Sequence, residues 1–278
     1  MPASSYDTLL LVERLRGTLP VLLACGHDGA QQPEGVRARE REQFPACCDF
    51  QPSRDRNVAD LTRALVDQLR RQVGEAPYVV IATFHRKYID ANRSAACAFE
   101  PGPAQPYYEE YHAVLRGFID EIRAENDGIG LMLDLHGAQR RSDAPADIYV
   151  GTENGETIAA LRAGTSDDAL YRRRGLVGLL QAADYAMLPS RFGNREHPAF
   201  TGGYTVETYG SQRADGIDAI QLEIAAELRT NAAGRARLAT VLGSAIASLV
   251  PRWLPSPARR LGGDDCRSGV AAPQTRAL

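Results

Sequence analysis

Two of the five histidines directly follow stretches with the composition of buried strands. His27 comes just after the apolar run 20–25 (PVLLAC), and His136 follows the run 129–135 (IGLMLDL). Ligands bind beyond the carboxyl ends of strands in open α/β sheets, so both imidazoles are expected where a site forms. A catalytic zinc ion takes three protein ligands, often imidazoles, and keeps a fourth position for water. His27 and His136 are therefore candidate metal ligands, with a hydrogen-bonded structural role as the alternative.

A third ligand would be a carboxylate, and the sequence offers several. Those within reach of His27 along the chain are Asp28, Glu34, Asp49 and Asp55. Spacing alone does not choose among them. Asp55 directly precedes the helix that is expected to begin near residue 56, so its side chain could instead cap that helix by accepting backbone N–H groups. The residues alone favour this capping role for Asp55.

The segment 85–93 (HRKYIDANR) concentrates polar groups directly after another apolar run, 78–84 (YVVIATF). A solvated loop is the usual place for such a charged stretch. An arginine, however, presents a planar fork that can hold a carboxylate through two hydrogen bonds, and a neighbouring asparagine adds a donor. Asn92 and Arg93 are therefore candidates for a carboxylate clamp.

Two acidic residues lie on alternating strand patterns. Glu223 and Gln221 share one face of the run 219–224 (AIQLEI), and Asp134 shares a face with His136. A carboxylate in such a strand must be paired, metal-linked or catalytic, because burying an unpaired charge is costly. Glu223 is the best candidate for a general base, with a structural ion pair as the alternative. Asp134 is expected to orient His136 or a neighbour, or else to bond nearby backbone.

The elements that must position these residues form an α/β pattern. The four strand-like runs alternate with segments whose apolar residues recur every three or four positions: 58–69, 108–122, 167–185 and 227–253. This alternation predicts a single domain with a mostly parallel mixed sheet flanked by helices on both faces. The segments 31–54 and 189–210 lack a period and are expected as binding loops or lids. We assign the domain to residues 1–258 and expect 259–278 to be a disordered C-terminal tail.

Composition excludes several classes of partner. The 278 residues include 32 Lys and Arg against 35 Asp and Glu, a net charge of −3, so no overall positive field is available for nucleic acid. The longest apolar run near the start, 9–12, is far shorter than the ~20 residues of a membrane span. We expect no nucleic-acid partner, no membrane association and a cytoplasmic location. The odd number of cysteines, five, favours reduced thiols over a disulfide framework.

Taken together, the motifs resemble the N-formylglutamate amidohydrolase family, a relative of the zinc carboxypeptidases and aspartoacylases. The resemblance extends from about residue 20 to about residue 250. In chain order the motifs are CGHDG around His27, SRDRNVADL around Asp55, RKYIDANR at 86–93, Tyr111-His112, DLHG at 134–137, GGYTVETYG at 202–210 and IQLEI at 220–224. Any one of these motifs is weak evidence, but their common order is specific.

The resemblance implies a zinc-carboxypeptidase-like (phosphorylase/hydrolase-like) α/β fold and one catalytic Zn²⁺. By match to the family's motifs, the metal ligands would be His27, Asp55 and His136. Asn92 and Arg93 would grip the substrate carboxylate, and Arg86 would stabilise the oxyanion. Glu223 would be the general base. His112 and Tyr204 are expected to line the pocket, although His112 is more simply read as a hydrogen-bonded core histidine.

The implied activity is zinc-dependent hydrolysis of the linear amide of a small N-acyl amino acid such as N-formylglutamate. One alternative is a carboxypeptidase-like or γ-glutamyl peptide hydrolase on the same metal site, and another is an inactive homologue that only binds a carboxylate. The chain departs from the family in its first loop, where Gly26-His27-Asp28-Gly29 replaces Pro-His-Ser-Gly, and at Glu110, which replaces a proline. Ala30 stands where carboxypeptidases and aspartoacylases have a ligating glutamate.

Overall fold

A mixed sheet organises the computed structural model, which describes residues 5–166 and 168–253. Within these residues its strands are β1 (Asp7–Leu9), β2 (Val12–Leu15), β3 (Val21–Cys25), β4 (Tyr78–Ala82), β5 (Leu131–Ala138), β6 (Ile148–Gly151), β7 (Met187–Leu188) and β8 (Asp218–Ala225). Their order across the sheet is β1-β2-β4-β3-β5-β8-β6-β7. The central strands β4, β3, β5 and β8 are parallel, whereas β2 and β6 pair antiparallel to them. The four central strands are the four that the sequence predicts.

Helices cover both faces of this sheet. They are α1 (Val58–Val73), α2 (Ala95–Ala98), α3 (Gln105–Glu125), α4 (Ala159–Gly164), α5 (Leu176–Ala182), α6 (Tyr204–Tyr209), α7 (Ala226–Thr230) and α8 (Ala232–Trp253). Leu23 and Leu133 point into a core that they share with α1, α5 and α8. Leu22 and Met132 point to the opposite face, into a core with α3. The central strands are apolar on both faces because both are covered, and the expected fold class is confirmed.

Two predicted helices differ from the observed elements. The described part of the predicted helix 167–185 is turns up to Gly175, and α5 begins only at Leu176. A side chain at Gly175 would overlap the backbone of Ala169 and Leu170, so the chain doubles back on itself here instead of continuing a helix. The other, 227–253, is interrupted at Asn231, whose side-chain Oδ1 accepts the N–H of Gly234 and so begins a new helix. The predicted tail 259–278 lies outside the described residues.

The segment 31–54 is irregular, as expected, apart from one short 3₁₀ turn at Arg41–Gln43. Cys48 in this segment forms a disulfide with Cys97 in α2, with the two Cα atoms 5.5 Å apart. The expectation of reduced thiols is therefore wrong for this pair, because folding brings together cysteines 49 residues apart along the chain. Cys25 and Cys47 are free. In the described part of the chain, no helix has both the length and the apolar character needed to cross a membrane.

Candidate metal and catalytic site

His27, Asp55 and His136 converge at the carboxyl edge of the parallel strands. His27 follows β3, whereas His136 lies within β5, two residues before its end, and not after the strand as the sequence predicts. Oδ2 of Asp55 lies 3.1 Å from Nδ1 of His136 and 3.5 Å from Nδ1 of His27. One ligand atom from each residue lies within 4.8 Å of the other two, and all three side chains are buried. The chain thus brings two imidazoles and one carboxylate to a single point, although 109 positions separate the two histidines.

The chemistry of this cluster fits a divalent cation. Nδ1 of His27 is buried and has no hydrogen-bond partner, although it faces the carboxylate of Asp55. Buried polar atoms without partners are uncommon, and a bound cation would satisfy this one. Two imidazole nitrogens and a carboxylate oxygen suit Zn²⁺, and they also suit nickel, copper or iron.

The local sequence favours a capping role for Asp55, but Asp55 does not cap α1. Its Oδ2 instead accepts the backbone N–H of Gly137 at 3.1 Å, besides its contacts with the two histidines. Asp28 instead provides the carboxylate that binds a backbone N–H in the first turn of α1: its Oδ2 accepts the N–H of Ala59 at 2.9 Å. Burial alone would raise the pKa of Asp55, but its hydrogen bond with His136 and the proximity of His27 hold it below its ordinary value. Asp55 is thus an ionised carboxylate facing two imidazoles.

Asp90 is a buried residue of this site that the sequence reasoning missed. Its Oδ1 lies 2.7 Å from Nε2 of His27 and accepts the N–H of Asn92, and its Oδ2 accepts Nε of Arg86 at 2.9 Å. Despite complete burial, the charges of His27 and Arg86 hold the pKa of Asp90 well below its ordinary value. An acceptor on Nε2 leaves Nδ1 of His27 as the ligand atom. The available signal was an acid in the segment 85–93, two positions before Asn92.

A second acid lies beside His136, as the strand pattern predicts. Oδ2 of Asp134 is 2.9 Å from Nε2 of His136, on the side of the ring away from Asp55. Burial lowers the pKa of His136, but Asp134 and Asp55 together hold it well above its ordinary value. Each imidazole therefore has Asp55 near Nδ1 and a further aspartate near Nε2.

Glu223 lies on β8 directly beside His136 of β5 in the parallel register, and it is partly exposed. Loss of hydration is the main reason that the pKa of Glu223 rises to about 7. The charge of His136 opposes this rise, whereas that of Asp55 adds to it. A carboxylate with a pKa near neutrality can both accept and return a proton, which is what a general base and acid requires.

The predicted substrate-binding residues occupy different surroundings. The guanidinium of Arg86 lies between Asp90 and Asp55, with Nη1 4.0 Å from Oδ1 of Asp55. Asn92 is buried, and its Oδ1 accepts the N–H of Thr205 at 2.7 Å. Arg93 is more accessible, and its Nη2 donates to the carboxylate of Asp49 at 2.5 Å. Arg86 and Asn92 therefore lie against the His-Asp-His cluster, Asn92 with its Nδ2 3.2 Å from Nε2 of His136, but these positions do not by themselves test the roles expected for the three residues.

His112 of α3 and Tyr204 of α6 meet in a group of aromatic rings. Nδ1 of His112 lies 2.9 Å from the hydroxyl of Tyr209, and its ring is 5.5 Å from that of Tyr204. Tyr108 and Tyr111 contact the same imidazole. Burial lowers the pKa of His112 to about 4, so this histidine is neutral at ordinary pH. Its surroundings match those of a hydrogen-bonded core histidine, and a pocket-lining role stays a prediction.

Comparison with known proteins first defines the class of fold. A crystal structure of N-formylglutamate amidohydrolase from Ralstonia eutropha superposes with a TM-score of 0.60 and 20% identity, covering 88% of this chain and 99% of that one. A gene product of Agrobacterium tumefaciens gives a TM-score of 0.54 and 17% identity over 84% of this chain and 91% of its own. At such identities the likeness establishes a shared fold. No curated protein matches the chain.

The family model gives the more particular result. The model of the N-formylglutamate amidohydrolases matches residues 103–229, which contain β5 with His136 and β8 with Glu223. The resemblance to this family that the motifs predict is thereby confirmed, and it supports a hydrolase. Of the proposed ligands, His27 and Asp55 lie before the matched region.

Proposed function

We propose that the protein is a metal-dependent amidohydrolase that cleaves the linear amide bond of a small N-acyl amino acid, with N-formylglutamate as the first substrate to test. The observation that carries this proposal is the convergence of His27, Asp55 and His136 next to Glu223. The family match over residues 103–229 supports the same reaction class. Zn²⁺ is the cation we propose from the donor set.

The ion would be held by Nδ1 of His27, Oδ2 of Asp55 and Nδ1 of His136. When bound, a zinc ion supplies a Lewis acid and makes water acidic enough to ionise near neutral pH. Glu223 takes a proton from the attacking water and later returns it to the leaving amine nitrogen. Its pKa of about 7 suits both transfers.

Two arginines are proposed to bind the substrate, one at the amide oxygen and one at the α-carboxylate. Arg86 donates to the amide oxygen as negative charge develops there, because its guanidinium is held beside Asp55 by Asp90. Arg93 holds the α-carboxylate of the substrate. Asn92 would add its amide nitrogen, which without substrate lies 3.3 Å from Oε1 of Gln221 and 3.2 Å from Nε2 of His136. The support for Arg93 is that its guanidinium already holds a carboxylate, that of Asp49, whose side chain is 81% exposed. A substrate carboxylate would take the place of this exposed one.

The remaining expectations stay proposals. His112 and Tyr204 would form a wall of the substrate pocket, and a small molecule would be the partner. A cytoplasmic location was expected from the sequence, but the Cys48–Cys97 disulfide is a feature that is rare in that compartment. Hydrolysis of a γ-glutamyl peptide on the same metal site and carboxylate binding without turnover are the rival functions.

The test is an assay of the purified full-length chain with its metal content measured. We expect near-stoichiometric zinc, release of formate and glutamate from N-formyl-L-glutamate, and loss of activity after chelation that added Zn²⁺ restores. Activity only on a γ-glutamyl peptide would replace the proposed substrate. Tight binding of glutamate by the metal-loaded protein without any hydrolysis would leave the binding-only alternative.

A further inference from the structure

We propose that Gln221 is a positioning residue, which holds the carboxylate of Glu223 in one orientation through a directed chain of hydrogen bonds. This inference rests on the proposed function, in which Glu223 is the general base. Gln221 precedes Glu223 by two residues on β8, so both side chains project from the same face of the sheet. Nδ2 of Asn92 also lies 3.2 Å from Nε2 of His136, so this series of hydrogen bonds passes beside one proposed metal ligand.

This series consists of three hydrogen bonds and begins at the N-terminus of α6. The backbone N–H of Thr205 donates to Oδ1 of Asn92 at 2.7 Å. Nδ2 of Asn92 donates to Oε1 of Gln221 at 3.3 Å. Nε2 of Gln221 then donates to Oε1 of Glu223 at 3.0 Å. Asn92 and Gln221 are 3% and 4% exposed, so water competes little for these bonds.

The donor and acceptor roles along this series of hydrogen bonds follow from its first donor, the backbone N–H of Thr205. A backbone N–H can only donate, so the atom of Asn92 that faces Thr205 must be its oxygen. The amide nitrogen of Asn92 consequently faces Gln221, which must present its own oxygen there. Only the nitrogen of Gln221 is then left for Glu223. A glutamine at this position therefore offers the carboxylate a donor and cannot offer it an acceptor.

Gly203 makes the first link possible. A Cβ atom at this position would overlap the side-chain amide of Asn92, so the amide lies directly against the backbone that precedes α6. The side chain of Asn92 is thus packed as well as hydrogen-bonded. Residues 204–209 of the segment 189–210, which was expected to be an irregular loop or lid, instead form α6, and the start of this helix fixes one end of the series of hydrogen bonds.

The consequence for Glu223 is that its two oxygens are not equivalent. Oε1 is held by Gln221, which leaves Oε2 to accept the proton of the attacking water. Orientation of this kind affects rate strongly, since a misplacement of about 1 Å can cost on the order of 10²-fold. The chain also joins the base to Asn92, which immediately precedes the proposed carboxylate-binding Arg93.

The test compares Gln221→Met and Gln221→Glu with the wild type in the N-formyl-L-glutamate assay. Methionine has a similar length but neither donor nor acceptor, whereas glutamate keeps the acceptor for Asn92 and loses the donor to an ionised Glu223. We expect kcat to fall about 10- to 100-fold in both variants, with KM within about threefold and zinc content unchanged. Gln212→Met, at an exposed glutamine outside the site, is the control and should match the wild type.

A second measurement separates positioning from a general loss of structure. In a Glu223→Ala background, Gln221→Met should change the residual kcat less than twofold, because Gln221 acts through Glu223. An equal loss with and without Glu223, or a wild-type kcat for both Gln221 variants, would overturn the inference. If Gln221→Met does not fold, the isosteric Gln221→Glu variant carries the same comparison. A wild-type protein without turnover would instead overturn the proposed function, and the two failures are distinguishable.

Discussion

Nε2 of His27 lies 2.7 Å from Oδ1 of Asp90, and this contact directs the opposite ring nitrogen toward Asp55 and His136. Asp90 is itself held by Arg86, with Arg39 3.6 Å away. The orientation of one proposed ligand therefore depends on a carboxylate that does not touch the ion position. This arrangement is typical of metal sites, where a ligating imidazole donates its other N–H to an acceptor.

The first prediction concerns this acceptor. Asp90→Ala should weaken Zn²⁺ affinity about 10- to 100-fold, because His27 loses the group that fixes its ring. Asp90→Asn should weaken it less, since the amide oxygen can still accept from Nε2. Competition with a chromophoric chelator measures the affinity, and Asp120→Ala, at an exposed acid on α3, is the control. An affinity of Asp90→Ala within twofold of the wild type would show that Asp90 does not support the site.

The second prediction concerns the general base. Glu223→Ala should lower kcat by about 10²- to 10⁴-fold while zinc content stays the same, because the proton acceptor is lost and the ligands are retained. Single-turnover and steady-state assays on N-formyl-L-glutamate measure the change. Glu227→Ala, four residues further on and exposed, is the matched control. If Glu223→Ala keeps kcat within about threefold, another group performs the proton transfer.

The central sheet was predictable because its strands are buried on both faces and so read as continuous apolar runs. Val21–Cys25 and Tyr78–Ala82 lie within two of the predicted runs, which extend slightly beyond them. The short outer strands β1, β2, β6 and β7 were missed. They are two to four residues long, which is too short for a two-residue period to stand out.

Parts of the site could not be derived from local patterns. Position before a helix favours a cap role for Asp55, yet Asp28, 31 residues before Ala59, supplies the carboxylate at the first turn of α1. Which of the two acids faces the histidines is decided by tertiary packing, and only the family motif indicated Asp55. Asp90 and the Cys48–Cys97 pair were missed for the same reason, because His27, which Asp90 contacts, is 63 residues away and the two cysteines are 49 residues apart.

The third prediction concerns the aromatic surroundings of His112. The pKa of His112 is lowered to about 4 from an ordinary value of 6.5 because the imidazole is buried. The unfolded chain therefore binds a proton more readily, and His112 makes the free energy of unfolding fall as the pH drops from about 6.5 to about 4. Urea denaturation between pH 6.5 and pH 4 should show a smaller decrease in the free energy of unfolding for His112→Gln than for the wild type. Parallel pH curves for the two proteins would contradict this.

The fourth prediction concerns the disulfide. Reduction of Cys48–Cys97 by a dithiol should lower the free energy of unfolding by about 2–4 kcal/mol, because the bond closes a long loop in the unfolded chain. The double variant Cys48→Ser/Cys97→Ser should show the same loss and no response to reductant. Cys47→Ser removes the adjacent exposed thiol and should behave as the wild type. If the denaturation midpoint of the wild type is the same with and without reductant, the bond does not form in solution.

The fifth prediction concerns the carboxylate that Arg93 already holds. Asp49 is mostly exposed, and exposed ion pairs contribute about 1 kcal/mol or less. Asp49→Asn should therefore lower KM for N-formyl-L-glutamate about two- to fivefold, because the substrate no longer competes with Asp49 for Arg93. Arg93→Ala should raise KM about 10- to 100-fold, as expected for losing a charged hydrogen bond of about 1.5–3 kcal/mol.

In an Arg93→Ala background, Asp49→Asn should have no effect on KM. Asp215→Asn, in another exposed ion pair, should match the wild type. If Asp49→Asn lowers KM equally without Arg93, the two residues act independently and Arg93 is not the group that binds the substrate carboxylate.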